Sequence, residues 1–599
     1  MNPRTARPRR DALPAVGCNG GEFFYAPRAP GRALCSRHVN TTPRRQQNPL
    51  PLRDAILWGI AALAISLLFA AVVRPTIGPS SDLWDHSQAA RQVARGDGFT
   101  SLYTYPALLG AKDHAPFPER WRMPLYAVRG ALALRMGFKL PDAFLLVGVQ
   151  AHAVLVALVF LLGAHFHSRR AGSIAAACAI ASPLFLDAYN PGVSQLPVAT
   201  VGLVVWLLLL RGKGVGTVLL AAVPAAAAWY LRAEALLLAP LWIWAASSGS
   251  AGWPRGAIFA GALATLCVPW MPTLLSADSG ASGLLGRLML LYTPEYPGYS
   301  SWRMYGASLP GAFEYALRHP LSLAIRWGKD VVGFGLDLSN GLGPIAAGFG
   351  IAGLLLRDAK ERYAPFRPML PFVAAIALTV AAFAAVERGP RHLVPVAPLA
   401  CVLVGVAAAP ALDRFSGRRV ILAAFALLLL ERGATVAFQT RDVTRRAAPM
   451  PRETLAALAP RAAAWPKDAL LLTDAPDWAA WHLDRPALLL PLHRDLAALL
   501  RDHDAAAIFL SPGARGRNAT DGDTAWVGIW DRSEAVEGFR GPEALPGGAR
   551  LYVRDAGARR SELTSDTPSK MGTPPAIESQ PGDSPSKDHA ITKTRNGTR

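Results

Sequence analysis

Asp82 and Asp85 stand in the stretch with the most chemistry in it. The run is Ser81-Asp82-Leu83-Trp84-Asp85-His86-Ser87-Gln88-Ala89-Ala90-Arg91, followed by Gly96-Asp97-Gly98-Phe99. Three residues is about one helical turn, so both carboxylates fall on one helix face. Two acids so placed can do proton chemistry. They can also be an ordinary helix start, with Ser81 or Asp82 as the cap and acids in the first turn. A third use is metal binding by Asp85, His86 and Asp113-His114. No ligand spacing compels that, and no cofactor follows from the sequence. Arg232 and Glu234 interrupt an apolar run, where charges are costly and are functional or paired with each other. Arg122, Arg388 and Arg391 have a plain reading as interfacial or turn cations, and Trp121, Trp302 and Tyr126 as interface aromatics.

The elements that must position these residues are membrane helices. Of the 599 residues 52% are hydrophobic and 17% charged, and the apolar ones gather in blocks. The blocks are about 15 to 25 residues long, enough to cross or nearly cross a bilayer. They lie at 54–73, 142–163, 172–187, 194–210, 215–231, 234–247, 256–275, 331–356, 368–386, 393–411 and 419–435. The expected fold is an all-α polytopic membrane protein of about eleven helices. A net charge of +20 would point a soluble protein to nucleic acid, but here Lys and Arg sit in short connections and the amino-terminal tail. Membrane topology accounts for them, and no nucleic-acid partner is expected. The five cysteines form no CxxC or metal spacing.

With the amino terminus inside, the short inner loops hold twelve Lys and Arg and the short outer turns three. The positive-inside rule favours that orientation. It puts the long first loop (74–140), the loop around 276–330 and the carboxyl-terminal region outside the cytoplasmic membrane. Residues 1–53 read as a basic disordered tail, with the first apolar block too far in for a cleaved signal peptide. From about 445 the pattern changes. Strands are expected over 469–474, 487–491 and 505–510, with helices over 476–482 and 492–504. That is a small α/β domain over 445–555, followed by a Ser/Thr/Pro/Lys-rich disordered tail over 556–599.

Several of these features recur in one order elsewhere. The acidic start at Asp82, the helix running to Ala90-Arg91 and the Gly96-Asp97-Gly98-Phe99 ending come first. Arg122-Met123-Pro124-Leu125-Tyr126, Leu231-Arg232-Ala233-Glu234 and Arg391-His392-Leu393-Val394-Pro395-Val396-Ala397-Pro398 follow, and then Thr473-Asp474 and Asp484-Arg485-Pro486. Together they resemble the membrane glycosyltransferases of the C-type superfold. These include the protein O-mannosyltransferases and the transferase that puts aminoarabinose on lipid A. Asp82-Leu83 stands where that family often has Asp-Glu, His86 where an aromatic residue usually follows, and Arg-Met-Pro where the family has Lys-Pro-Pro. The resemblance implies a sugar donor linked through phosphate to a polyprenol, and transfer to a lipid, glycan or protein acceptor at the outer membrane face. It implies Asp82 as the base, with Asp85 beside it. Arg122, then Arg391, Arg388 and Arg303, would stabilise the leaving phosphate through the fixed geometry of the guanidinium. Direct attack would invert the anomeric carbon. A transporter for a polyprenyl-linked sugar and a non-catalytic assembly protein are the two rivals.

Overall fold

The computed structural model describes residues within 51–555, with breaks at 74–80, 120–121, 186–192, 249–251, 273–286, 357–363, most of 415–449 and a few single positions. Nearly all of the expected tail at 1–53, the whole tail at 556–599 and most of the block at 419–435 lie outside the described residues, as does Trp121.

Eight helices lead into the bundle and its first long loop: α1 (Leu52–Val73), α2 (Ser81–Arg95), α3 (Pro124–Arg135), α4 (Asp142–Phe166), α5 (Arg169–Ala181), α6 (Gln195–Arg211), α7 (Val215–Leu231) and α8 (Ala239–Ser247). By length and composition three described helices can span a bilayer: Leu52–Ala71, Asp142–Phe166 and Phe366–Ala384. A fourth span is counted if Pro320–Leu342 and Pro344–Leu355 act as one, but they meet at 99°. The bend falls on Gly343, whose φ of +91° is closed to most side chains, with Pro344 behind it. Gln195–Arg211, Val215–Leu231, Ala233–Ser247 and Ala397–Pro410 are apolar but shorter. Among the described residues the full-length spans thus number three or four, and the expected eleven are not confirmed. Hydropathy reads through glycine and proline, whereas the backbone breaks at them.

The outward face of α1 carries Leu57, Ile60, Leu67 and Leu68, each more than half exposed. An apolar surface of this kind on a helix of this length belongs in lipid. Inside the bundle small residues bring helices together. A Cβ on Gly163 would meet the Gly172 backbone at 2.8 Å, and one on Gly405 would meet the Ala171 carbonyl at 2.4 Å. Those contacts bind α4 to α5 and α5 to the helix Ala397–Arg414.

The carboxyl-terminal part forms a six-stranded sheet. Its strands are β2 (Tyr103–Thr104), β4 (Leu470–Thr473), β5 (Ala487–Leu489), β6 (Ala505–Leu510), β7 (Phe539–Leu545) and β8 (Ala549–Arg554), in the order β2-β5-β4-β6-β8-β7. The first four run parallel, and β8 and β7 close the sheet antiparallel. Side-chain alternation separates its two cores. Leu470 and Leu472 pack on one face with Trp526, and Leu471 packs on the other with Phe509. β2 belongs to the first long loop: Tyr103 pairs with Ala487 and Thr104 with Leu488. The loop is thus hydrogen-bonded into the sheet. It also returns on itself through β1 (Thr100–Ser101) and β3 (Phe117–Pro118), antiparallel, with Ser101 opposite Phe117.

Candidate active site

α2 starts with Asp82 in its first turn and ends with Arg95 in its last, charges that suit the helix dipole at both ends. Gly96 (φ +94°) closes it, with its amide on the Gln92 carbonyl at 3.0 Å. Leu83, Ala89 and Ala90 are fully buried. The β1–β3 pair then brings the chain back beside α2, where the Arg122 amide donates to Glu119 Oε1 at 3.0 Å. Pro124 follows at the start of α3, where a missing N–H costs nothing. Arg135 at the end of α3 donates to the Ala94 and Val93 carbonyls, which fixes α3 against the last turn of α2.

This arrangement sets Arg122 against both acids. Its Nη2 donates to Asp82 Oδ1 at 2.7 Å, its Nε to Asp85 Oδ2 at 2.9 Å, and Nη2 also closes on Asp85 Oδ2. Arg391 comes from the loop before the helix Ala397–Arg414. Its Nη1 donates to Asp82 Oδ2 at 3.3 Å and its Nη2 to Glu387 Oε1 at 3.3 Å. His392 Nε2 lies 3.7 Å from Glu387 Oε2, and its ring stacks on Phe383 at 4.2 Å. Asp82 is therefore gripped by two guanidiniums, one 40 and the other 309 residues away along the chain. The Arg122 side chain is 13% exposed and that of Arg391 40%, so Arg391 presents more of its charge to solvent.

Burial works to raise the Asp82 carboxyl, but the Arg122 and Arg391 charges outweigh it and hold it well below the usual carboxylate range. Asp85 goes the other way. Its burial, and then the Asp82 charge, win over Arg122 and raise it. His86 is kept neutral, pushed well below the usual histidine range by burial and by Arg122. Its ring packs edge-on against Tyr126 at 4.6 Å.

Asp82, Asp85, Arg122 and Arg391 line a cavity of about 1580 Å³. Residues of the sheet domain, including Asp474, Asp477 and Arg517, line it as well. The structure places the other two expected phosphate ligands differently. Arg303 lines the same cavity, but its guanidinium is buried and pairs with Asp521 at 3.0 Å and Asp523 at 3.3 Å. It also donates to the Leu490 and Pro491 carbonyls at 2.9 and 3.2 Å. Arg388 forks onto Asp337 at 3.0 Å through Nε and Nη2 and does not line the cavity. Arg232 pairs with Glu234 and donates to Ser194 Oγ at 3.1 Å. Among the described residues no group of three or more His, Cys, Asp or Glu is placed to hold a metal ion, so Asp85, His86, Asp113 and His114 do not form one. Sequence reasoning did not single out Glu387, which sets Arg391, or Asp477. The first precedes Arg391 by four residues across the irregular Gly389-Pro390 turn, where no periodicity marks it. The second is one acid in a short helix, with nothing local to mark it.

No protein-family model and no curated protein sequence matches the chain. Solved structures do. ArnT from Cupriavidus metallidurans, in a structure bound to undecaprenyl phosphate, is 14% identical with a TM-score of 0.50, over 83% of this chain and 98% of that one. Its apo structure gives 15% identity and a TM-score of 0.50, over 84% and 99%. The Archaeoglobus fulgidus oligosaccharyltransferase, in a complex with Zn and sulfate, is 13% identical with a TM-score of 0.50, over 83% and 73%. The chain has the C-type membrane glycosyltransferase fold. In this C-type fold the acids of α2, the two arginines and the sheet domain surround one cavity.

Proposed function

We propose that the chain is an integral-membrane glycosyltransferase. It moves a sugar from a polyprenyl-phosphate donor to a lipid, glycan or protein acceptor, at the outer face of the cytoplasmic membrane. One observation carries this reading: a carboxylate, Asp82, held between two arginines on the wall of a large cavity, in a chain with the C-type fold. In this reading the amino terminus lies inside and the sheet domain outside, the orientation that the distribution of basic residues favours.

The acceptor hydroxyl attacks the anomeric carbon. Its oxygen forms the new glycosidic bond, the bond from that carbon to the phosphate oxygen breaks, and the hydroxyl proton goes to Asp82. Polyprenyl phosphate leaves with the electron pair and one more negative charge. Arg391 is the cation that meets this charge, because it is the more exposed of the two guanidiniums on Asp82. Arg122 is a positioning residue that fixes Asp82 and Asp85 relative to one another.

An arginine-paired carboxylate is a weak base while the pair is intact. A bound phosphate competes for the same guanidinium donors. Each donor that turns from Asp82 to phosphate raises the proton affinity of Asp82, so the base strengthens when the donor is present. The test is transfer by purified protein in nanodiscs, with a panel of polyprenyl-phosphate sugars and NMR of the product. The reading expects transfer with inversion. Retention contradicts the single displacement, and tight donor binding without turnover favours a transporter.

A further inference from the structure

One wall of the cavity is aromatic, and two separate parts of the chain build it. Trp84 comes from α2. Trp478 and His482 come from the helix Pro476–Leu483 of the sheet domain. The His482 ring links the tryptophans, 5.0 Å from Trp84 and 5.1 Å from Trp478. Phe509 of the sheet core stacks on Trp478 at 6.1 Å and 23° and backs it. The two helices are fastened together at the far end. Arg91 donates to the Ala480 and Trp481 carbonyls at 2.9 Å each, lies 4.6 Å over the Trp481 ring, and with Arg95 pairs with Asp484. Cations on the last carbonyls of a helix are well placed for its dipole.

Beside these rings, in the first turn of the same short helix, stands Asp477. It lines the cavity, and among the described residues no Lys, Arg or His lies within ion-pair distance of it. Burial, and then the charge of Asp85, push its carboxyl up to about 7.

Partly exposed tryptophans and a carboxyl that meets local backbone amides but no cation within ion-pair distance leave room for a ligand on this cavity wall. A polyprenyl chain would use the rings and leave the acid unsatisfied, and a phosphate would be repelled by it. A sugar ring offers an apolar C–H face and a rim of hydroxyl donors, which matches both. We propose that Trp84, Trp478, His482 and Asp477 form the subsite for the donor's sugar ring, with the rings against its C–H face and Asp477 accepting from its hydroxyls. Trp84, Asp82 and Asp85 all line this one cavity, so a ring held by Trp84 shares it with the base. The inference rests on the glycosyltransferase reading and adds the specificity element to it: the sheet domain selects the sugar.

The test is direct binding to the full chain in nanodiscs. The probes are undecaprenyl phosphate bearing a hexose, a pentose or an aminopentose, and bare undecaprenyl phosphate. Trp478→Ala should weaken the best sugar-bearing lipid about ten-fold, the scale of one lost stacking platform. Binding of the bare lipid should change less than two-fold. Asp477→Asn, which keeps shape and is the safer variant for folding, should cost about three- to ten-fold and blur the preference among sugar heads. Equal losses for sugar-bearing and bare lipid, or no loss with either variant, would overturn the subsite. Wild type that discriminates among sugars, loses this in Trp478→Ala, and transfers nothing to any acceptor would keep the subsite and sink the transferase.

Discussion

Two arginines in this chain each hold two aspartates, and their surroundings differ. Arg303 holds Asp521 and Asp523, and Arg122 holds Asp82 and Asp85. Around Arg303 the backbone joins in. Asp521 accepts the Tyr299 amide at 2.8 Å, Asp523 accepts the His493 amide at 3.0 Å and caps the helix Thr524–Arg532, and Arg303 itself takes two carbonyls. Four of the guanidinium's five N–H groups have a place there. The triad ties the loop before the bundle's bent helix to the sheet domain. Around Arg122 the acids meet guanidiniums, from Arg122 and from the half-exposed Arg391. A carboxylate fastened by backbone amides has one geometry. One fastened by side-chain cations can change partners, and chemistry needs that.

Asp82→Asn should reduce transfer by about 10²- to 10⁴-fold, the usual contribution of a positioned base, with donor binding retained. Transfer rates and donor titration on the same preparation check this. Arg303→Met should instead act on stability, at about 3–5 kcal/mol, because it strands two buried carboxylates. Thermal unfolding reads that, and the folded fraction should keep its turnover. Asp477→Asn should show the linkage sign. The folded carboxyl binds its proton more tightly than the unfolded one, so wild type loses stability as pH rises from about 4 towards 7. Asp85 and Tyr105 face Asp477 from the first loop and Arg517 from its own domain. The variant should melt a few degrees above wild type at pH 8 and together with it near pH 4. Arg388→Ala should be the smallest effect, within about 0.5 kcal/mol and without change in transfer, since an exposed pair with Asp337 contributes little.

Residue patterns carried part of this and missed part for identifiable reasons. The strands at Leu470–Thr473, Ala487–Leu489 and Ala505–Leu510 are short apolar runs between turn residues, and such runs are readable. β2 is not, because two residues have no period, and Tyr103–Thr104 is a strand only because Ala487 and Leu488 are there to pair. Arg303 looked like Arg122 because a sequence shows a cation without its partners, and Asp521 and Asp523 lie about 220 residues away. The apolar block at 331–356 looked like one span because hydropathy averages over Gly343-Pro344, where the helix turns by 99°. Asp477 carried no signal of its own. Its meaning comes from a cavity that two distant segments close.

The most direct test of the account compares the two triads in one assay. Release of polyprenyl phosphate would be followed for wild type, Asp82→Asn and Arg303→Met in nanodiscs, normalised to folded protein. The account predicts that Asp82→Asn releases almost nothing, while Arg303→Met releases at a rate near wild type per folded molecule. Release that survives Asp82→Asn and fails in Arg303→Met would exchange the roles of the two triads and contradict it.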